Sequence, residues 1–256
     1  MKQIRMVLCD IDNTLIVRHK ILTSRAKEAI KLIKASGAYF GIASGRSLEE
    51  IKRMMNRWGI EQPDILIGLN GSALYDGIHK KEYNYFLLKR EWIHEIIDLM
   101  SVFDSNPLIY LNDQIICREM DEIVKRSSES AEMKVVISKE KKDFYSQENA
   151  KIMFRVNEDE MSEIESYLEE RASPFYYAFK SQKTMIEFSD KRVSKAYALA
   201  EICEKLEVPI NEVITFGDTT NDNAMLVTSG IGVCMCNGSE DTKRIADIIT
   251  EKKLCR

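Results

Sequence analysis

Residues 6–14 read Met6-Val7-Leu8-Cys9-Asp10-Ile11-Asp12-Asn13-Thr14, four apolar side chains followed at once by a pair of aspartates. An apolar run that short and unbroken suits a strand buried on both faces of a parallel sheet. Ligands of open α/β sheets gather beyond the carboxyl ends of the strands, where Asp10 and Asp12 would stand. Working outward, strand and helix patterns alternate. A helix is predicted to open at Thr23 or Ser24, to carry Ala26, Ala29, Ile30 and Ile33 on one stripe, and to stop at Gly37. Ala38 to Ala43 reads as a second buried strand. Ser47 and Glu50 have the spacing of a capping box for a helix that Gly59 ends. Asp64 to Gly68 is a third strand, with a turn at Asn70-Gly71.

Residues 84–188 have a different texture. Short strands are predicted at Pro107–Leu111 and Gln114–Cys117 around a hairpin-like Asn112-Asp113, and at Lys134–Ile137, Lys151–Val156, Phe175–Phe179 and Met185–Phe188. Helical stretches near 119–128 and 158–171 intervene, which describes an α+β module. After Lys195 the alternation resumes. A helix carries Ala198, Leu199, Ile202 and Leu206, and the strand Val213–Phe216 follows. A short helix over 223–227, the strand Ile231–Met235, a last helix over 239–246 and the segment Asp247–Thr250 complete it. The expected organisation is one α/β domain, 1–83 with 189–256, into which a second module, 84–188, is inserted.

Composition narrows the function. Of 256 residues, 45% are hydrophobic and 30% charged, which is ordinary for a globular chain. A formal charge of −4 argues against nucleic acid as a partner. No apolar stretch approaches a membrane span, and the start is too short for a signal peptide, so a cytoplasmic location is expected. The six cysteines, at 9, 117, 203, 234, 236 and 255, match no zinc spacing and are expected as packing residues or inert thiols. Cys234 and Cys236 are expected on one face of a strand. His19, His79 and His94 share no ligand spacing either. Any bound metal would therefore have oxygen ligands.

Four short motifs carry chemistry. Asp10 and Asp12 can divide labour, one carboxylate attacking phosphorus and the other acting as general acid and then base; the alternative is an acidic turn. Gly217-Asp218-Thr219-Thr220-Asn221-Asp222 follows a predicted strand, and Asp218 can complete an oxygen site for Mg2+; the alternative is a helix cap, for Asp222 especially. Ser44-Gly45-Arg46 offers a hydroxyl and open backbone N–H groups for a phosphate oxygen, or is a plain turn. Lys195 begins a helix, where a cation is unfavourable unless an anion lies beside it; a lone lysine is otherwise a surface group.

In this order, Asp10-x-Asp12-x-Thr14, Ser44-Gly45-Arg46, Lys195 and Gly217-Asp218-x-x-Asn221-Asp222 resemble the motifs of the haloacid dehalogenase superfamily. The long insert resembles the larger α/β (type IIB) cap of its Cof-type sugar-phosphate phosphatase branch. That resemblance implies a Rossmann-like, doubly wound parallel sheet core with an inserted α+β cap that selects the substrate. It implies Asp10 as nucleophile and Mg2+ ligand. Asp12 would be acid/base and offer its backbone carbonyl to the metal. Thr14, Ser44 and Gly45 would hold the phosphoryl group, with Lys195 neutralising its charge. Asp218 would be a metal ligand supported by Asp222, and Asn221 would lie beside the phosphate.

Some positions depart from that pattern. Asn13 stands where the branch has glycine, and asparagine tolerates a left-handed backbone. Arg192 and Ala196 replace glycines around the lysine and are expected to tighten that loop. The segment after Asp247–Thr250 lacks the Asp-Gly-Val stretch of relatives. The expected function is Mg2+-dependent hydrolysis of a sugar phosphate or another small phosphorylated metabolite through a phospho-aspartate. A phosphomutase using the same intermediate and a non-catalytic sensor of metal and phosphate are the alternatives. Tyr110, Tyr176 and Tyr177 are candidate substrate contacts, as is Asn70-Gly71-Ser72, expected near the sheet edge.

Overall fold

The computed structural model describes residues 3–16 and 21–251; His19 and Cys255 lie outside them. The chain divides into two compact units, Met1–Tyr85 with Val193–Arg256, and Phe86–Arg192. The first unit opens with β1 (Met6–Cys9), every residue of which is buried. Helix α1 (Ser24–Ala35) is capped by the Thr23 hydroxyl, which accepts from the Ala26 N–H at 3.1 Å. It buries Ala26 and Ile30, whereas Ala29, expected on the same stripe, faces solvent. After β2 (Tyr39–Ala43), helix α2 (Leu48–Trp58) starts at Ser47, whose side chain accepts from the Glu50 N–H, and ends at a left-handed Gly59. The Glu50 carboxylate does not complete the expected box, because it pairs with Arg46. Strand β3 (Ile65–Gly68) leads through a short 3-10 turn into a hairpin, β4 (Ala73–Asp76) and β5 (Lys81–Asn84).

The second unit holds α3 (Arg90–Met100), β6 (Asn106–Leu111), β7 (Gln114–Cys117), α4 (Glu122–Ala131), β8 (Lys134–Ile137), β9 (Ile152–Arg155), α5 (Met161–Glu169), β10 (Tyr176–Gln182) and β11 (Met185–Asp190). Its sheet runs β10-β11-β9-β6-β7-β8, antiparallel except for β7 beside β8. The β6–β7 hairpin turns on Asn112 and Asp113, both at positive φ, as a two-residue loop of that type requires. Ile93, Ile96 and Met100 of α3 and Ile164 and Leu168 of α5 pack with Ile109, Ile152, Phe154 and Phe188. Val124 of α4 packs with Leu108 and Met153, which alternate with Ile109 and with Ile152 and Phe154, and with Ile115 and Cys117 of β7.

On returning to the first unit the chain forms α6 (Lys195–Lys205), β12 (Val213–Gly217), α7 (Asn223–Thr228), β13 (Ile231–Cys234), α8 (Glu240–Ile245) and β14 (Ile248–Ile249). The eight-stranded sheet has the order β14-β13-β12-β1-β2-β3-β4-β5. All neighbours from β14 to β3 are parallel, and the β3–β4 and β4–β5 pairs are antiparallel. Side-chain alternation divides β1 between two layers. Val7 and Cys9 join Ala26, Ile30, Ile51 and Met55 of α1 and α2, while Met6 and Leu8 join Ala198, Leu199 and Ile202 of α6. Helices thus cover both faces, the doubly wound arrangement expected, and each fully buried aliphatic side chain contributes about 1.5–3 kcal/mol.

Two expectations need correcting. Asn70-Gly71-Ser72 is not near the sheet edge, since β4 and β5 lie outside β3. Cys234 ends its strand, so it is buried while Cys236 is only partly covered.

Candidate active site

Strand order decides which side chains meet. β1 lies between β12 and β2, in register Cys9↔Phe216 and Cys9↔Ile42. The chain leaves β2 and β12 toward opposite sides of β1, which opens a crevice at its carboxyl end. Asp10 follows β1 and is anchored by its N–H on the Phe216 carbonyl at 2.9 Å. Asp218 follows β12, and both carboxylates are buried. Asn13 adopts φ 63°, the left-handed conformation expected of it, and turns the chain so that Thr14 points back. The Thr14 hydroxyl donates to Asp218 Oδ1 at 3.1 Å.

Lys195 is fully buried, so the surface alternative is excluded. Its ammonium donates to Asp10 Oδ1 at 2.7 Å and to Asp222 Oδ1 at 2.6 Å. It occupies the first turn of α6, which Ser194 caps by accepting from the Tyr197 N–H. Gly71 (φ 108°) permits that approach, because a Cβ there would stand 2.1 Å from the Ser194 carbonyl oxygen. Asp222 is more than a helix cap. Its Oδ2 accepts from the Asp218 and Thr219 N–H groups at 2.9 and 3.2 Å while Oδ1 takes Lys195. Gly217 makes room for it, since a Cβ there would stand 2.5 Å from Asp222 Cβ.

Asp10, Asp218 and Asp222 each bring a carboxylate oxygen within 4.8 Å of the others. Three carboxylates against one ammonium leave this buried cluster short of positive charge. The electrostatics register the deficit. Burial pushes the Asp10 carboxyl up to about 7, with Lys195 pulling it down and Asp222 and Asp218 adding to the rise. Burial likewise raises Asp218 to about 6, reinforced by the Asp222 charge. Burial alone would lower the Lys195 ammonium, but Asp10 and Asp222 hold it above the ordinary lysine range. A small, hard dication bound by oxygens fits this donor set in charge and ligand type. Cys9 beside it contributes no thiolate, because burial pushes its thiol up to about 12.

The model of the haloacid dehalogenase-like hydrolases matches residues 7–254, from inside the first strand to beyond the last. The chain is a haloacid dehalogenase-like hydrolase. It is 25% identical over 257 residues to the 5-amino-6-(5-phospho-D-ribitylamino)uracil phosphatase YcsE of Bacillus subtilis (strain 168), spanning 98% of this chain and 91% of that one. Its fold is shared with a haloacid dehalogenase-like hydrolase from Bacteroides thetaiotaomicron, with TM-score 0.87 and 24% identity over 97% of this chain and 94% of that one. The HAD subclass IIB sugar phosphatase BT4131 has TM-score 0.78 and 22% identity, over 96% and 93% of the two chains.

In this hydrolase the remaining expected residues are placed as follows. Ser44 is buried, and its Oγ accepts from the Arg46 N–H at 3.3 Å, which leaves its own proton to donate. Gly45 faces Asn70, whose Oδ1 would stand 3.2 Å from a Cβ at that glycine. Asn221 is exposed and donates to the same Asn70 Oδ1 at 3.2 Å, so the turn that carries Asn70 lies beside both Gly45 and Asn221. The Asp12 side chain stays outside the carboxylate cluster and is clasped by Arg46. Sequence reasoning placed Arg46 in a motif and Glu50 in a capping box but missed that they pair; the signal was a Glu four residues after an Arg at a helix start.

In the second unit Arg192 closes its fork on Asp190, at 2.9 and 2.7 Å, and stacks over Phe86. Tyr176 is a core residue, packed on Phe188 with its hydroxyl donating to Glu95, and not an open contact. Tyr110 and Tyr177 lie half-buried on the opposite face of that sheet. Among the described residues no helix is long and apolar enough to cross a membrane.

Proposed function

We propose that this hydrolase is a Mg2+-dependent phosphomonoesterase acting on a sugar phosphate or other small phosphorylated metabolite through a phospho-Asp10 intermediate. The observation that carries the reading is the wholly buried Lys195 bridging Asp10 and Asp222 beside Asp218. A lysine spent there serves an anionic centre. The names of two similar proteins, a phosphatase of a phosphoribityl compound and a sugar phosphatase, support the substrate class.

Asp10 and Asp218 would hold the ion by their side chains and Asp12 by its backbone carbonyl. Asp222, whose oxygens already accept from three donors, supports the cluster from behind. When bound, Mg2+ offsets the repulsion between a phosphate dianion and the attacking carboxylate. Asp10 attacks phosphorus with one oxygen while Lys195 fixes the other. The pair of electrons in the breaking P–O bond passes to the leaving oxygen, which takes a proton from Asp12. Water then attacks the phospho-Asp10 phosphorus, giving its proton to Asp12 and returning the bonding pair to Asp10. Ser44, with its free hydroxyl proton, and the Gly45 backbone bind equatorial phosphoryl oxygens, where negative charge accumulates. Thr14 would turn its hydroxyl proton from Asp218 to these oxygens, and Asn221 flanks them.

These groups address only the phosphoryl end, so we assign selection of the rest of the substrate to the inserted module, 84–188. Inorganic phosphate released from a panel of phosphorylated sugars and polyols, with and without Mg2+, tests the reading. Turnover that requires Mg2+ and disappears in Asp10→Asn, by about 10⁴-fold or more, is expected. Turnover by Asp10→Asn at the parent rate contradicts it.

A further inference from the structure

A second ionic assembly in the first unit is built on Arg46, which takes no part in the chemistry above although its partner Asp12 does. Arg46 holds Asp12 with two parallel bonds, Nε to Oδ2 at 2.8 Å and Nη2 to Oδ1 at 2.9 Å. Its third terminus, Nη1, pairs with Glu50, which is itself buried at the first turn of α2. The Arg46 backbone is fixed as well, its N–H on Ser44 Oγ and its carbonyl accepting from the Leu69 N–H at 2.8 Å. The guanidinium is therefore anchored at both ends of its side chain. A lone surface ion pair needs no such brace, and bidentate geometry adds orientation to energy.

With both oxygens accepting from Arg46, Asp12 is presented as an acceptor. A carboxylate held in one orientation by both oxygens is what proton transfer from an attacking water requires. We propose that Arg46, braced by Glu50, is the positioning residue for the second half of the reaction, the hydrolysis of phospho-Asp10. The proposal rests on the reading that Asp10 and Asp12 divide the chemistry. In that step the water oxygen bonds to phosphorus, its proton goes to Asp12, and the P–O pair returns to Asp10. The fork orients the carboxylate toward that water. Departure of a good leaving group such as p-nitrophenolate, which needs no proton, does not use it.

Arg46→Lys keeps the positive charge and removes the fork. Rapid-mixing kinetics with p-nitrophenyl phosphate and Mg2+ should then show a burst near one p-nitrophenolate per site, followed by a slow steady state. The expected fall in kcat is about 10–100-fold, the scale of a misplaced catalytic group. kcat/KM for this substrate should change by less than about 3-fold, because it reports the first half only. kcat values for aryl and sugar phosphates should converge on the shared hydrolysis step. Glu50→Gln, which loosens the brace, should give the same pattern more weakly, and serves if Arg46→Lys does not fold. Equal falls in kcat and kcat/KM without a burst would overturn the proposal, since a merely structural role or direct phosphate binding lowers both. If parent enzyme itself fails to release phosphate, or Asp10→Asn retains turnover, the underlying reading fails instead.

Discussion

The two units bury charge in different ways. In the second, each buried charge has a counterpart. Lys151 meets Glu187 at 2.8 Å, Asp190 meets Arg192 at 2.7 Å, and Arg155 donates to the Thr184 carbonyl at 2.6 Å with Asp121 at 3.7 Å. In the first, Asp10, Asp218 and Asp222 share a single lysine. Buried charge is costly unless compensated, so matched pairs fix a structure, whereas an unmatched excess marks where something charged must come. The imbalance, more than the number of acidic residues, sets the catalytic unit apart.

The largest expected effect breaks this contrast on the first unit. Lys195→Met removes the cation of the carboxylate cluster and should cost about 3–5 kcal/mol in metal-free protein, as when one partner of a buried pair is lost. Turnover should vanish, yet Mg2+ should still bind, because the carboxylates remain and are less neutralised. Replacing both members of the matched pair, Lys151→Met with Glu187→Leu, should be neutral or stabilising by about 1–4 kcal/mol and leave Mg2+ binding unchanged. Denaturant melts and calorimetric Mg2+ titrations check both halves. Loss of Mg2+ binding from the second-unit double variant would erase the distinction.

A smaller effect sharpens the contrast through pH. The folded carboxyls of Asp10 and Asp218 lie above their unfolded values, chiefly because of burial. Their stabilising contribution is therefore full below the ordinary carboxylate range and is lost as pH rises through about 6 to 7. Mg2+ competes with those protons, so its stabilisation should grow across the same window. Melting curves with and without Mg2+ at about pH 5 and about pH 8 should differ by several degrees more at the higher pH. An increment independent of pH would contradict the buried assignment.

Sequence alone carried much of the core. The run Met6–Cys9, the Ser47 and Gly59 ends of α2 and the strand before Asp218 are local signals, and each local choice agrees with the fold. What escaped was local signal of the wrong kind or no local signal. Helix α3 begins at Lys89, which supplies no side-chain cap, so nothing announced its start. The β4–β5 hairpin was legible in Asp76-Gly77, a turn signal passed over. Ala29 lies on the predicted apolar stripe but is exposed, because α1 buries a narrower face than its pattern allows. At the site, the residue types were readable, but the adjacency of β1 and β12 links positions over 200 residues apart. The Arg46–Asp12 clasp is also nonlocal, joining a helix start to a strand end 34 residues away.

The smallest expected effect concerns a departure from the family pattern. Asn13→Gly should leave turnover within about 2-fold and stability within about 0.5 kcal/mol, since asparagine already occupies the left-handed conformation that glycine favours. A large gain in activity would show that Asn13 impairs this enzyme.

In the proposed reaction Asp10 itself carries the phosphoryl group while a divalent ion and Lys195 balance the charge. Acid-quenched turnover with borohydride trapping, followed by peptide mass mapping, tests it most directly. The expected product is a reduced, formerly phosphorylated residue at Asp10, formed only when Mg2+ is present. Phosphate release with the trapped label on another residue would contradict it.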